Sequence, residues 1–125
     1  TGKLPAFYVA DSGYPVDQRL DEPADIARVI RLQDEFDLNQ GLVVANPPPE
    51  QASMDADTMK RVVLRAVEEA AASGVSGKAV TPYLLQRVER LTGGASLEAN
   101  VALMVNNARL GAQIAVALAR SGQSR

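Results

Sequence analysis

Apolar residues recur at helical spacing in four stretches of the chain. The first stretch begins behind an acidic pair and Pro23, a residue that helices accept at their first position because its missing N–H has no partner to lose there. Steps of three and four residues then repeat through the stretch, which is the period of one helix face. The residues on this stripe are Ile26, Val29, Ile30, Gln33 and Phe36.

Three more helices are predicted by the same period and by the residues at their ends. Side chains that accept a hydrogen bond favour the N-terminal cap, and glycine favours the position just past the last turn. The final helix is expected to run from about residue 97 to residue 119. The expected caps are Asp55, Thr81 and Ser96, and the expected stops are Gly74 and the Gly93-Gly94 pair.

Two short runs have the composition of β-strands. Residues 6–10 are aromatic and β-branched, and residues 42–45 form a continuous apolar run between turn residues. The order strand, helix, strand, helix, then further helices predicts an α/β fold with two short strands and four helices. Because two strands rarely form a stable sheet alone, we expect residues 1–125 to be a single segment of a larger α/β domain.

Composition excludes several classes of chemistry. The formal net charge of −2 offers no field that would attract a nucleic acid polymer or an anionic membrane. Cysteine and histidine are absent, so the chain has no thiolate nucleophile, no imidazole base and no zinc site built from these residues. The apolar runs of the sequence are shorter than a membrane span of about 20 residues. A cytoplasmic protein is the expectation.

Three asparagines lie inside the otherwise apolar fourth helix: Asn100, Asn106 and Asn107. Asparagine is a mediocre helix former, and a buried amide without a partner costs about 1–3 kcal/mol. Asn100 and Asn107 are seven residues apart and therefore lie within about 20° of each other around the helix. These amides either bond to neighbouring backbone or another subunit, or they contact a ligand, and the residues alone leave both interpretations open.

Other polar groups offer weaker hypotheses. Glu50 and Glu98 are candidate acids for an unrelated carboxylate enzyme, although solvated carboxylates explain both. Residues 92–96 precede a helix and have the small side chains of an anion-binding turn, but a linker between two helices explains the same letters. A non-catalytic binding or assembly module is a further alternative for the whole chain.

Three stretches resemble the pseudouridine-5′-phosphate glycosidase family, also called the indigoidine synthase A family. They are Leu4-Pro-Ala-Phe-Tyr8, Leu42-Val-Val-Ala-Asn-Pro-Pro-Pro-Glu50 and the long run from Gly77 to Ala108. The resemblance implies that residues 1–125 are the C-terminal part of an α/β/α layered fold with a mixed sheet. It also implies that the chain covers well under half of the family's length.

The family's reaction is the reversible cleavage of the C-glycosidic bond of pseudouridine 5′-phosphate to uracil and ribose 5-phosphate, a lyase or hydrolase step of nucleotide metabolism. The resemblance implies a lysine, a glutamate and an aspartate that binds a divalent metal, commonly manganese, all upstream of this chain. No catalytic or metal-binding residue is therefore assigned within it. Asn100 falls on the asparagine that lines the family's substrate pocket, Asn106 and Asn107 are weaker substrate-binding candidates, and a homotrimer is expected.

Overall fold

A computed structural model of the chain describes residues 2–122, and the secondary structure of this range is helical. Two short 3₁₀ turns accompany the α-helices, at Glu50–Ala52 and at Gly77–Ala79. The helices, in chain order, are α1 (Pro23–Glu35), α2 (Ala56–Ala72), α3 (Val80–Leu91) and α4 (Ala95–Gly122).

The predicted starts of α1 and α2 are confirmed. Pro23 is the first residue of α1, with Glu22 at its cap in an extended conformation. An Asp55 carboxylate oxygen accepts a hydrogen bond of 2.8 Å from the backbone N–H of Thr58 and so caps α2. Gly74 follows the last turn of α2 with a φ of 68°, a left-handed conformation in which glycine carries no side-chain penalty.

The predicted caps of α3 and α4 are wrong by a few residues. α3 begins at Val80 because the 3₁₀ turn before it leads directly into the helix, so Thr81 lies inside the first turn. α4 begins at Ala95, and Ser96 is a helical residue with 2% exposure. The hydroxyl of Thr92 takes the capping role instead, since it accepts a hydrogen bond of 3.2 Å from the backbone N–H of Ser96.

The predicted α/β fold with a mixed sheet and two strands is wrong for the described residues. Residues 7–10 form bends, and residue 6 and residues 41–49 have no regular structure. Across residues 2–122 the only β-type pairing is one antiparallel bridge between Lys3 and Pro15. The two runs have the composition of strands, but a ladder needs a neighbouring strand, and the described range supplies none to pair with them.

The hydrophobic core lies between α2, α3 and the start of α4. Its buried residues pack against partly buried neighbours that include Met54, Val62 and Leu84. The N-terminal segment is held to this core because the carbonyl of Tyr8 accepts a hydrogen bond of 2.9 Å from the N–H of Met54. The buried core residues are Tyr8, Met59, Ala66, Val88 and Ala99.

α4 extends well past this core. It packs against α1, α3 and the turn at Glu50–Ala52, yet many of its apolar side chains face solvent. Although polar residues interrupt its apolar runs, the stretch Ala95–Arg120 is long and apolar enough to cross a membrane, by length and composition alone. The exposed apolar side chains of α4 therefore form a surface that residues 2–122 leave uncovered.

Candidate functional site

Two of the predicted site asparagines hold a proline-rich loop against α4. The side-chain amide of Asn106 donates a hydrogen bond of 3.2 Å to the carbonyl of Pro47. The amide of Asn46 donates one of 3.0 Å to the side-chain oxygen of Asn107. Consecutive asparagines on α4 thus bind consecutive residues of the loop, and we call this pair of bonds the amide latch.

The sequence of the loop explains why it needs such partners. Residues 47–49 are prolines, which have carbonyl acceptors but no N–H donors, so they cannot be held by a backbone ladder. Pro48 is buried, and the chain continues directly into the 3₁₀ turn at Glu50–Ala52 that contacts α4. The amide latch and the contacts of the turn with α4 together hold segment 46–52 on the helix.

Asn100 behaves differently from the other two asparagines. It is half-buried on α4, and its side chain makes no hydrogen bond to any residue between 2 and 122. Helical spacing places it on the same edge of α4 as Asn107, nearly two turns away. Of the three predicted amides, Asn100 keeps its donors and acceptor uncommitted within this range, and its role in binding stays a prediction.

Two hollows adjoin the latch. The smaller, about 250 Å³, lies between α4 and the loop and is lined by Asn107 and Asn46 together with Val44, Leu110, Gly111 and Ile114. The larger, about 790 Å³, lies between residues 15–21, α1 and residues 41–47. Asn107 therefore reaches a cavity, whereas Asn100 and Asn106 line neither of these two hollows.

The sequence analysis did not predict Asn46 as a site residue. The signal available in the sequence is an amide side chain directly before a run of prolines.

The weaker candidates find ordinary surroundings. Glu50 and Glu98 are exposed, and within residues 2–122 no three acidic side chains come together as a metal site would require. The first amides of α4 are already used: Ser96 donates to Thr92, while Leu97 and Glu98 donate to the carbonyl of Gly94. This geometry favours the linker interpretation of residues 92–96 over an anion-binding turn.

One charged cluster was not predicted and joins two helices. Arg87 of α3 forms a two-bond contact with Glu69 of α2, one bond through its Nε and one of 2.9 Å through its Nη2. Arg65 donates a further bond of 3.0 Å to the same carboxylate. Hydrogen bonds from Arg87 and then Arg65 lower the pKa of Glu69 from 4.5 to about 2. The cluster links α2 to α3 and lies on a different pair of elements from the asparagines.

Comparison with known proteins gives a consistent picture. Residues 1–117 match the family described as Indigoidine synthase A like protein. A pseudouridine-5′-phosphate glycosidase of Rhodospirillum centenum is 55% identical over 123 residues, which is 98% of this chain and 38% of that protein. Among solved structures, the prealnumycin C-glycosynthase AlnA, in complex with ribulose 5-phosphate, covers all of this chain with a TM-score of 0.87 and 27% identity.

A second solved structure agrees with the first. An indigoidine synthase A-like protein of Thermotoga maritima covers 94% of this chain with a TM-score of 0.81 and 33% identity. The chain spans about 38% of the length of the curated relatives it matches, and 41% of AlnA. The match of the family model along nearly the whole sequence decides the assignment: the chain belongs to the family of Indigoidine synthase A like proteins.

Proposed function

We propose that this chain forms the C-terminal part of a pseudouridine-5′-phosphate glycosidase. The observation that carries the proposal is the 55% identity to one such enzyme over 98% of the chain. The matched stretch covers 98% of the chain, so it includes the helices and the proline loop. The reaction would be the reversible cleavage of pseudouridine 5′-phosphate to uracil and ribose 5-phosphate, in which water is added across the carbon–carbon glycosidic bond.

Within that enzyme, this chain would form one wall of the substrate pocket. Asn100 has an amide that both donates and accepts, which suits the edge of uracil or a sugar hydroxyl, and its side chain is uncommitted among residues 2–122. Asn106 and Asn107 would act mainly as positioning residues, since both hold the loop at Asn46 and Pro47. Asn107 also lines the smaller hollow and remains the weaker candidate for direct contact.

The reactive groups would come from polypeptide outside this chain. A lysine nucleophile, a proton-transferring glutamate and an aspartate bound to a divalent metal, manganese by resemblance, have no counterpart that we assign here. We further propose a cytoplasmic homotrimer as the working assembly.

A chimera tests this proposal. In the Rhodospirillum centenum glycosidase, the stretch that matches this chain is replaced by residues 1–125, and release of uracil from pseudouridine 5′-phosphate is measured. We expect the chimera to be active and the isolated chain to be inactive. A folded but inactive chimera would favour the non-catalytic assembly module, and turnover by the isolated chain would contradict the assignment of the reactive groups.

Asn100→Ala in the chimera tests the binding role. Loss of a hydrogen bond to substrate is expected to lower kcat/KM by about tenfold or more. The matched control is Gln113→Ala, an exposed amide on the same helix, which should leave kcat/KM unchanged. Equal kinetics for the two variants would remove Asn100 from the substrate contacts.

A further inference from the structure

One face of α4 is apolar from residue 97 to residue 116 and faces solvent. Its large side chains are about half exposed or more, with Val101 at 56% and Met104 at 64%. The small side chains between them are also exposed. We call this surface the α4 apolar face, and its residues are Leu97, Val101, Met104, Val105, Ala108, Ala112, Ala115 and Val116.

The α4 apolar face is continuous and has sharp borders. Helical geometry of 100° per residue places its eight residues within about 120° of the circumference and along about 28 Å of the axis. Asn100 and Asn107 border it on one side. Glu98, Arg109 and Gln113 border it on the other. A wide apolar stripe between polar borders is the pattern of a helix that buries this side against another protein surface.

A lipid bilayer does not fit this helix well. The opposite side of α4 is already packed against α1, α3 and the turn at Glu50–Ala52, so α4 is not free to be surrounded by lipid. Arg109, on one polar border of the face, lies near the middle of the helix. A charged side chain at that depth in a membrane costs about 2.5–3.5 kcal/mol. The helix is long and apolar enough to cross a membrane, but the packing of its opposite side favours a protein partner.

The greater length of the relatives offers a candidate for that protein surface. The described fold superposes on AlnA over all of this chain, yet it accounts for only 41% of that protein. More than half of a family member is therefore polypeptide that this chain does not contain. We propose that the α4 apolar face docks against the polypeptide equivalent to that remainder of the family fold. The exposed alanines of the face allow close approach, and Met104 supplies a large flexible side chain for an irregular apolar pocket.

Thiol labelling tests the docking surface. The chain has no cysteine, so Met104→Cys places a unique thiol on the α4 apolar face. Its reaction with a maleimide is followed on the corresponding peptide by mass spectrometry, in the isolated chain and in the chimera described above. We expect labelling to be slower by about tenfold or more in the chimera, because a docked side chain reacts only when the interface opens.

Leu64→Cys is the matched control on α2. Leu64 is 53% exposed, as much as Val105, but three of the four residues three or four positions away on its face are charged, namely Lys60, Arg61 and Glu68, and the fourth is Val67. A solvated face of this kind should label equally fast in both proteins. Protection of Met104→Cys without protection of Leu64→Cys supports the docking surface when it is unchanged on dilution of the chimera, because a contact within one subunit does not depend on concentration. Equal labelling of Met104→Cys in the two proteins overturns it.

Two further measurements distinguish the proposed docking from binding of a second copy of the chain or of lipid to this face. Light scattering and flotation with phosphatidylcholine–phosphatidylglycerol vesicles are applied to the isolated chain and to its Val101→Thr/Val105→Thr variant, in which the isosteric changes preserve the helix. Vesicle binding that the variant abolishes, together with an unprotected Met104→Cys in the chimera, would assign the face to lipid. Oligomers that the variant abolishes, together with a protection of Met104→Cys that is lost on dilution of the chimera, would assign it to a second copy.

This inference rests on the proposed function for the identity of the partner, but its readout does not depend on turnover. A chimera that is inactive yet protects Met104→Cys would count against the proposed function and leave the docking surface intact. A chimera that is active yet labels freely would retain the function and overturn the docking surface.

Discussion

Two regions of this chain have similar apolar composition and opposite surroundings. The core around Ala66, which has 0% exposure, is enclosed by α2, α3 and the start of α4. The α4 apolar face and the segment 41–45 are exposed to solvent, and Val43 is 90% exposed. Each region contains a methionine, Met59 in the core at 4% exposure and Met104 on the face at 64%.

The comparison shows what an apolar sequence pattern records about burial and what it leaves out. The pattern records which side chains the sequence is suited to bury, and burial stabilises by about 25 cal/mol per Å² of apolar surface. It does not record whether the covering surface lies in the same stretch of chain. The side chains that cover the core lie within residues 2–122. The same range holds no side chains that cover the α4 apolar face.

The largest expected effect comes from truncating the two methionines in the isolated chain. Met59→Ala removes a buried side chain and leaves a cavity, so the free energy of unfolding should fall by about 2–5 kcal/mol. Met104→Ala removes an exposed side chain and should change it by no more than about 0.5 kcal/mol. Urea unfolding followed by circular dichroism measures both.

The same two methionine substitutions, made in the chimera, sharpen the comparison between the two regions. If Met104 is docked there, Met104→Ala should become destabilising, while the cost of Met59→Ala should stay the same. Similar costs for the two variants in the isolated chain would mean that α4 is already covered, and the distinction between the two regions would fail.

Local signals were sufficient for much of the helical structure. The start of α1 at Pro23 and the cap of α2 at Asp55 depend on residues within one turn, and both are confirmed. The cap of α4 was placed at Ser96, whereas the hydroxyl that caps the helix is on Thr92. That error is local and small, because both residues have the right side chain and only the geometry of the Gly93-Gly94 turn decides between them.

The strands and the site could not be predicted in the same way because both depend on distant residues. Residues 42–45 have strand composition, but pairing requires a neighbour that the described range does not hold. Asn106 and Asn107 have the hydrogen-bond partners that the sequence led us to expect, whereas Asn100 has none among residues 2–122. Their partners lie 59 and 61 residues away along the chain, for Asn106 and Asn107 respectively. No spacing within α4 identifies Asn46 or Pro47 as those partners.

The amide latch lies at the boundary between the two regions and should have an intermediate effect. Asn106→Ala leaves the carbonyl of Pro47 without its donor, which should cost about 0.5–1.5 kcal/mol. Amide hydrogen exchange in the isolated chain should also become faster in residues 50–54, next to the loop. The control is Asn39→Ala, which removes an exposed amide from the loop after α1. If both variants exchange alike, the latch does not hold the loop.

The smallest effect is expected at Glu69, whose side chain is still 30% exposed and partly screened by solvent. Its bonds to Arg87 and Arg65 lower its pKa in the folded state from 4.5 to about 2, so the stabilisation is fully present above pH 4.5 and is lost as the pH falls toward 2. Glu69→Gln should therefore unfold more easily at pH 7 and show a flatter loss of stability between pH 4.5 and 2. Glu68→Gln, an exposed neighbour, provides the control in the same acid titration of the unfolding midpoint.

This titration also tests the boundary between the two regions. Glu69, Arg65 and Arg87 all belong to α2 and α3, so the same pH window should be found in the isolated chain and in the chimera. A window that disappears in the chimera would mean that the added polypeptide displaces the cluster. The α2–α3 side would then be a contact surface as well, and the α4 apolar face would be only part of a larger interface.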